Sequence, residues 1–333
     1  MERVRVIAEV GVNHNGSVEL ALQMIAAAAD AGADVVKFQT FSAEALTTSS
    51  AQKANYQADR TGDGSQRDML RSLQLSLEDH VRLMAECEVR GVGFLSSPFD
   101  VASVDVLMQL GVGEMKIASG EITNLPLLRR VGAAGPPVLL STGMSTMDEV
   151  EAALEALVAA GLNRSLITLL HCTSEYPAPP EDVNLRAMVS MREQLGLPVG
   201  YSDHTDGTTV AVAAVALGAT VIEKHFTLDR SMEGPDHAAS LEPEQFAAMV
   251  RDIRVVESAL GDGEKGPTAG ELETMRVARK SIVAARDIAA GETLSEDNLT
   301  TKRPGTGLSP MEWDGVIGTA ATRDFASDEL IER

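Results

Sequence analysis

The sequence predicts an α/β fold of the (β/α)8 type, a TIM barrel, followed by a small C-terminal domain. Three observations predict it. Short β-branched runs alternate with Ala- and Leu-rich amphipathic stretches, the pattern of a parallel sheet with helical crossovers. The alternation repeats eight times in about 260 residues, which suits a closed barrel better than an open sheet. The turn after the first run reads Gly-Val-Asn-His-Asn-Gly, which lacks the glycine fingerprint of a dinucleotide-binding sheet.

The predicted units run as follows. Val4–Val10 precedes Val18–Ala31, and Asp34–Gln39 leads through a polar segment to Leu77–Arg90. Gly93–Ser96 precedes Val101–Leu110, and Glu114–Ala118 precedes Leu125–Val131. Pro137–Ser141 precedes Met147–Ala160, and Leu166–Cys172 precedes a helix around Leu185–Leu195. Pro198–Ser202 precedes Thr208–Leu217, and Thr220–His225 precedes Pro243–Leu260. Two insertions, Ser42–Ser76 and Asp229–Leu241, follow strands 2 and 8 and are expected to be lid material. Residues 1–260 are read as the barrel and 261–278 as a Gly- and charge-rich linker. Residues 279–333 read as a turn-rich unit too short for a large core of its own.

Composition bounds the function. Hydrophobic residues make up 44% of the 333-residue chain, enough for a sizeable core. A net charge of −21 repels phosphate backbones and anionic lipids, so neither nucleic acid nor membrane is expected as a partner. The two cysteines, Cys87 and Cys172, suggest neither a disulfide scaffold nor a cysteine metal cluster. No apolar run reaches membrane-spanning length, and a first strand starting at Val4 leaves no room for a signal peptide, so a cytoplasmic location is expected.

Polar and ionisable residues recur at the C-terminal ends of the predicted strands. They are Glu9, Lys37 with Gln39, Ser96 with Ser97, Lys116 with Ser119 and Glu121, Ser141 with Thr142, His171 with Thr173, Ser202 to His204, and Glu223 to His225. In a barrel these converge on one mouth, where active sites form. His204 and His225 close neighbouring strands, a pairing that suits either a loosely held divalent ion or two hydrogen-bonded structural histidines. Lys37 and Lys116 are inward lysines in an acidic protein and need counter-anions. A phosphate ester would serve, with Ser119, Ser141 and Ser202 as donors, as would Glu9 or Glu121. Alternation along the strand puts Lys37 with Gln39, Ser202 with His204, and Glu223 with His225 on shared faces, and turns Asp203 and Lys224 away as supporting groups. Glu9 is a candidate base or water-orienting group, or else a partner for Lys37. His14 and His171 read as satisfied structural histidines more readily than as chemistry, His80 and Cys87 fall on a helix away from the site, and Asn13–Gly16 reads as the cap of the first helix.

The chain resembles the sialic acid (nonulosonic acid) synthase family. The segments that carry the likeness are Ile7-Ala-Glu-Val-Gly-Val-Asn-His-Asn-Gly16, Lys37-Phe-Gln-Thr-Phe41 and Ser96-Ser-Pro-Phe99. They continue with Lys116-Ile-Ala-Ser-Gly-Glu121, Leu140-Ser-Thr-Gly-Met144, His171-Cys-Thr-Ser-Glu-Tyr-Pro177 and Tyr201-Ser-Asp-His-Thr205. Glu223-Lys-His-Phe-Thr227, Gly234-Pro-Asp236 and Lys302-Arg-Pro-Gly305 complete a set that spans nearly the whole chain.

The resemblance implies a barrel followed by an antifreeze-like (SAF) domain. It implies condensation of phosphoenolpyruvate with an N-acetylated mannosamine-type sugar, with release of phosphate and a divalent metal, Mn²⁺ first and Mg²⁺ or Co²⁺ as alternatives. By motif match His204 and His225 would hold the metal. Lys37, Ser97, Lys116, Ser119, Ser141, Ser174 and Ser202 would hold phosphoenolpyruvate. Gln39, Glu121, Tyr176 and Asp236 would face the sugar, together with Arg303, carried over from the partner subunit's small domain in a domain-swapped homodimer. Catalysis would fall to Glu9, Lys37, Lys116, His204 and His225. Ser174 stands where N-acetylneuraminate-type synthases often carry Asn, and the local pattern is more similar to synthases of legionaminic acid. The sugar expected first is therefore 2,4-diacetamido-2,4,6-trideoxymannose, with N-acetylmannosamine as the alternative. A Schiff-base pyruvate aldolase and a non-catalytic carbohydrate-binding protein are the competing readings.

Overall fold

The computed structural model describes residues 3–53, 62 and 64–333. Part of the polar segment expected after strand 2, residues 54–61 and 63, lies outside the described residues. The chain divides into two units, Met1–Gly261 and Asp262–Arg333.

In the first unit eight strands, β1 (Arg5–Gly11), β2 (Val35–Thr40), β3 (Gly93–Pro98), β4 (Met115–Ile117), β5 (Val138–Ser141), β6 (Ile167–His171), β7 (Val199–Asp203) and β8 (Val221–His225), pair in the order β3-β2-β1-β8-β7-β6-β5-β4. Every pairing is parallel. The two ends of that order, β3 and β4, lie against each other, so the sheet curls into a barrel. The crossover helices are those the periodicity predicts, among them α1 (Val18–Asp30) after β1 and a helix at Leu77–Arg90 before β3.

Strand alternation gives each strand two faces. Outward residues such as Val6, Ala8, Val36, Phe38, Leu140 and Leu169 pack with the apolar stripes of the helices. Inward residues Ile7, Val35, Leu95, Leu139, Leu170 and Val221 form a separate apolar layer inside the barrel. Two residues further along those strands stand Glu9, Lys37, Ser97, Ser141, Cys172 and Glu223, all lining one cavity. Period-2 geometry thus stacks the polar residues directly above an apolar plug, which keeps water from reaching them from below.

The segment after β2 folds as short helices at Ala43–Leu46 and Gln66–Leu73. The second of these turns Met69, Leu70 and Leu73 towards the cavity. The cap expected at Asn13–Gly16 falls one residue later. Ser17 is the N-cap of α1 and accepts from Leu20 N, while His14 Nδ1 accepts from Gly16 N. Asn13 instead donates to Phe226 O and Ser240 Oγ, tying the β1 turn to the β8 turn.

The second unit pairs β9 (Ser281–Ala284) antiparallel with β10 (Leu299–Lys302) around a small core of Ile282, Ile288, Leu294, Leu299, Val316, Phe325 and Ile331. The stretch 261–278, expected as linker, carries a helix at Ala269–Ala278, opened by a capping box between Thr268 and Glu271. Among the described residues no helix is long and apolar enough to cross a membrane.

Candidate active site

The cavity at the C-terminal ends of the strands encloses about 360 Å³. Its floor is a buried charge cluster. Lys37 Nζ lies 2.9 Å from Glu9 Oε2, 3.4 Å from Ser97 Oγ and 3.7 Å from Glu223 Oε1. Lys116 Nζ contacts both carboxylate oxygens of Glu223, at 2.8 and 2.9 Å. Ser202 Oγ donates to Glu223 Oε1 at 2.9 Å, and Gln39 Nε2 donates to Glu9 Oε1 at 3.2 Å.

A bulge in β1 aims Glu9 into this cluster. Register shifts between Glu9 and Gly11, and Gly11 has φ +54. A Cβ there would meet Glu9 Oε1 at 2.9 Å, so the bulge calls for glycine twice over, by conformation and by space.

Burial and charge set the protonation states. Burial works against the Glu223 charge, but Lys116 and Lys37 outweigh it and hold the carboxyl well below its usual range. Burial, then the neighbouring Glu223 charge, push Glu9 up despite Lys37. Burial also opposes the Lys37 charge, but Glu223 and Glu9 outweigh it and raise that amine, whereas Lys116 is lowered, chiefly by burial. Asp236, buried at the rim, is pushed up to about 7 by burial and by Glu9.

Above the amines stand His204 and His225, ring centroids 5.5 Å apart. Tyr176 covers both, at 4.3 Å from the His204 ring and edge-on to His225 at 5.6 Å. His204 Nδ1 donates to Thr173 O at 2.6 Å, which leaves Nε2 as the basic nitrogen. Burial lowers His204 to about 4, and burial followed by the His204 and Lys37 charges takes His225 well below its ordinary value. Both rings are therefore neutral at pH 7, and His225 Nδ1 is buried with no hydrogen-bond partner. Two neutral imidazoles, one with an unsatisfied nitrogen, fit a divalent cation completed by substrate or water oxygens. Among the described residues no group of three or more His, Cys, Asp or Glu forms a fuller ligand set.

The serines form one wall. Ser119 Oγ accepts from Gly143 N at 3.0 Å and lies 3.1 Å from Cys172 Sγ. Ser97, Ser141, Ser174 and Ser202 line the same cavity, as do Gln39, Tyr176 and Asp236. Glu121 does not. It is buried outside the lining residues, where Asn124 Nδ2 donates to its Oε2 at 2.6 Å. It does not act as the counter-ion of Lys116 either, because that place is taken by Glu223, two residues above the apolar layer of its strand. Arg303 belongs to the second unit, where its Nε donates to Ala278 O.

Sequence reasoning missed the apolar side of the cavity, made by Val12, Met69, Leu70, Leu73, Phe99 and Pro235. Such residues carry no chemical signature, and only the position of their loops after strands 1, 2, 3 and 8 hinted at them.

A barrel with paired lysines, a serine wall and two neutral histidines at its C-terminal mouth has the placement of an enzyme's active site. The chain belongs to the NeuB family, which residues 24–265 match, and residues 279–332 match the SAF domain. It is 49% identical over 332 residues to the N,N'-diacetyllegionaminic acid synthase of Campylobacter jejuni, covering 99% of both chains. It is 45% identical to the enzyme of that name from Legionella pneumophila, over 97% of this chain and 91% of the relative. Among solved structures, the N-acetylneuraminic acid synthetase of Leptospira borgpetersenii, in complex with citrate, superposes with a TM-score of 0.72. It is 34% identical, over 82% of this chain and 90% of that one.

Proposed function

We propose that this protein condenses phosphoenolpyruvate with 2,4-diacetamido-2,4,6-trideoxymannose to give the legionaminic-type nonulosonic acid and phosphate. The observation that carries the reading is the floor of the cavity, where Lys37 and Lys116 stand beside a wall of serines and below two neutral histidines. The cluster holds two ammonium groups and two carboxyl groups, so an arriving trianion needs further positive charge or proton uptake. A divalent cation at the histidines would supply the first.

In this reading the two lysines and Ser97, Ser119, Ser141, Ser174 and Ser202 hold the phosphate and carboxylate. The methylene carbon of phosphoenolpyruvate bonds to the sugar aldehyde carbon. Water then adds to C2, one of its protons passes to the former aldehyde oxygen, and the C2–O bond to phosphate breaks as the other leaves with the phosphate and C2 becomes the keto carbon. Glu9, within reach of Lys37 and Gln39, orients that water and takes its proton. Mn²⁺, held by His204 and His225, would act as a Lewis acid towards the sugar carbonyl. Tyr176 and Asp236 orient the sugar, and Arg303 closes the site from the partner subunit of a domain-swapped, cytoplasmic homodimer.

The choice of sugar is supported from two directions. Both legionaminic acid synthases are more similar to this chain than the N-acetylneuraminic acid synthetase is. The apolar side of the cavity also offers surface to a 6-deoxy methyl and a second acetamido methyl, groups that N-acetylmannosamine lacks. The Schiff-base reading is disfavoured because Glu223 clasps Lys116 Nζ with both carboxylate oxygens, an ion pair that a free nucleophilic amine would have to give up even though burial lowers its pKa.

Phosphate release measured against 2,4-diacetamido-2,4,6-trideoxymannose, N-acetylmannosamine and its 6-phosphate tests the reading. The first sugar should give the highest kcat/KM, and preference for either of the others overturns the assignment. Oxygen-18 in the bridging position of phosphoenolpyruvate should leave with phosphate. Label retained in the keto acid would rule out C–O cleavage.

A further inference from the structure

Asp203 and Lys224 immediately precede His204 and His225, yet neither lines the cavity. They face each other across the last rung of the β7–β8 ladder, and both side chains are fully excluded from solvent. Lys224 Nζ donates to Asp203 Oδ2 at 2.8 Å and also to Thr205 O. Asp203 Oδ1 accepts from Thr205 N at 2.9 Å and from Thr205 Oγ1 at 2.7 Å.

A fully buried ion pair is a poor way to gain stability, since an apolar pair of similar volume holds strands together as well or better. It does fix distance and direction, which apolar packing does less sharply. That matters here because the two strands separate beyond the rung. His225 pairs with Glu9 of β1, and the His204 carbonyl accepts from Ala178 N. The ion pair sits where the ladder ends, one residue before each imidazole.

We infer that Asp203 and Lys224 are positioning residues that set the spacing of the His204 and His225 rings for a divalent cation. The inference rests on the reading that those histidines hold the metal. Constellations of this kind must be held to within about 0.5 Å, and supporting groups behind metal ligands typically change affinity 10- to 100-fold. Thr205 extends the device, because both its N–H and its hydroxyl hold the Asp203 carboxylate in the orientation that meets Lys224.

The test is Mn²⁺ binding to the full-length protein without substrates, followed by the paramagnetic resonance signal of free Mn²⁺. The variants are D203N, the charge-balanced double D203N/K224M, and T205V, which removes a single hydroxyl and keeps the side-chain shape. D203N and the double variant should weaken Mn²⁺ binding 10- to 100-fold, and T205V should shift it the same way by less. The Mn²⁺ concentration for half-maximal activity should move by the same factor, with kcat restored at saturating Mn²⁺ and the KM for phosphoenolpyruvate unchanged. A purely structural pair would lower the melting temperature and leave Mn²⁺ affinity alone. Wild-type Mn²⁺ affinity in folded D203N/K224M, or in T205V if the double variant does not fold, overturns the inference. So does a kcat loss that saturating Mn²⁺ does not restore. H204A separates the two levels. Unchanged Mn²⁺ binding in H204A overturns the metal reading and this inference with it. Binding lost in H204A but intact in the other variants overturns the positioning role alone.

Discussion

Lys116 Nζ is clasped by both carboxylate oxygens of Glu223, at 2.8 and 2.9 Å, at the floor of the cavity. That amine is thus neutralised by an internal carboxylate that also reaches to 3.7 Å from Lys37. A phosphate held by Lys116, as proposed, would have to compete with that carboxylate for the same hydrogen bonds.

E223Q removes the competitor's charge and leaves the cluster with an excess of positive charge. Calorimetric binding of phosphoenolpyruvate or inorganic phosphate is expected to tighten by roughly tenfold, about 1.4 kcal/mol. Turnover is expected to fall by at least about 10²-fold, since a charge that organises both lysines is gone. Weaker anion binding in E223Q would show that Glu223 assists the anion instead of competing with it.

Gly143 is packed tightly behind the serine wall. A Cβ there would come within 2.3 Å of Ser174 Oγ, 2.8 Å of Ser119 Oγ and 2.9 Å of Cys172 Sγ. G143A should therefore displace three lining side chains and raise the KM for phosphoenolpyruvate by about tenfold or more, with far smaller change in the melting temperature. An unaltered KM would mean that this wall does not touch the substrate.

His14 predicts the acid sensitivity of the first unit. Its Nδ1 accepts from Gly16 N, so the ring must be neutral, and burial lowers it to about 4 from an ordinary 6.5. Protons then bind the unfolded chain more tightly than the folded one. The stabilisation is complete above pH 6.5 and is lost as pH falls towards 4. One such histidine withdraws about 2 kcal/mol between pH 7 and pH 5. His237, also lowered to about 4 by burial, adds in the same direction. The urea midpoint should drop over this interval, and H14N, whose side-chain oxygen can accept from Gly16, should lessen the drop. An identical pH slope in H14N would assign it to other groups.

Arg303 tests the reach of the second unit. R303A should cut turnover at least tenfold through the sugar KM, kcat or both, while the barrel's thermal transition stays in place. An unaffected rate would remove the small domain from the chemistry.

Much of this was legible in the sequence because both governing periods are local. Alternation by two within β1, β2, β7 and β8 placed Glu9, Lys37, Ser202, His204, Glu223 and His225 on inward faces, and put Asp203 and Lys224 behind them. Partner choice across the barrel was not legible. Lys116 is joined to a carboxylate 107 positions away, whereas nearby Glu121 turns to Asn124. The helix at Ala269–Ala278 was hidden by a glycine-rich approach, although its Thr268-to-Glu271 cap is a local signal. Met69, Leu70 and Leu73 gave no warning of their place at the cavity, since an apolar helix stripe reads the same against core or substrate.

The depth of the two lysines has a kinetic consequence. With Lys37 and Lys116 sealed beneath the rim, a distant anion meets the field of a chain carrying −21, and the attraction of the amines is felt only at short range. Added salt should quicken the capture of phosphoenolpyruvate by weakening that outer repulsion while leaving the dry inner contacts almost unscreened, the reverse of the slowing expected for an enzyme that draws its substrate in by long-range steering.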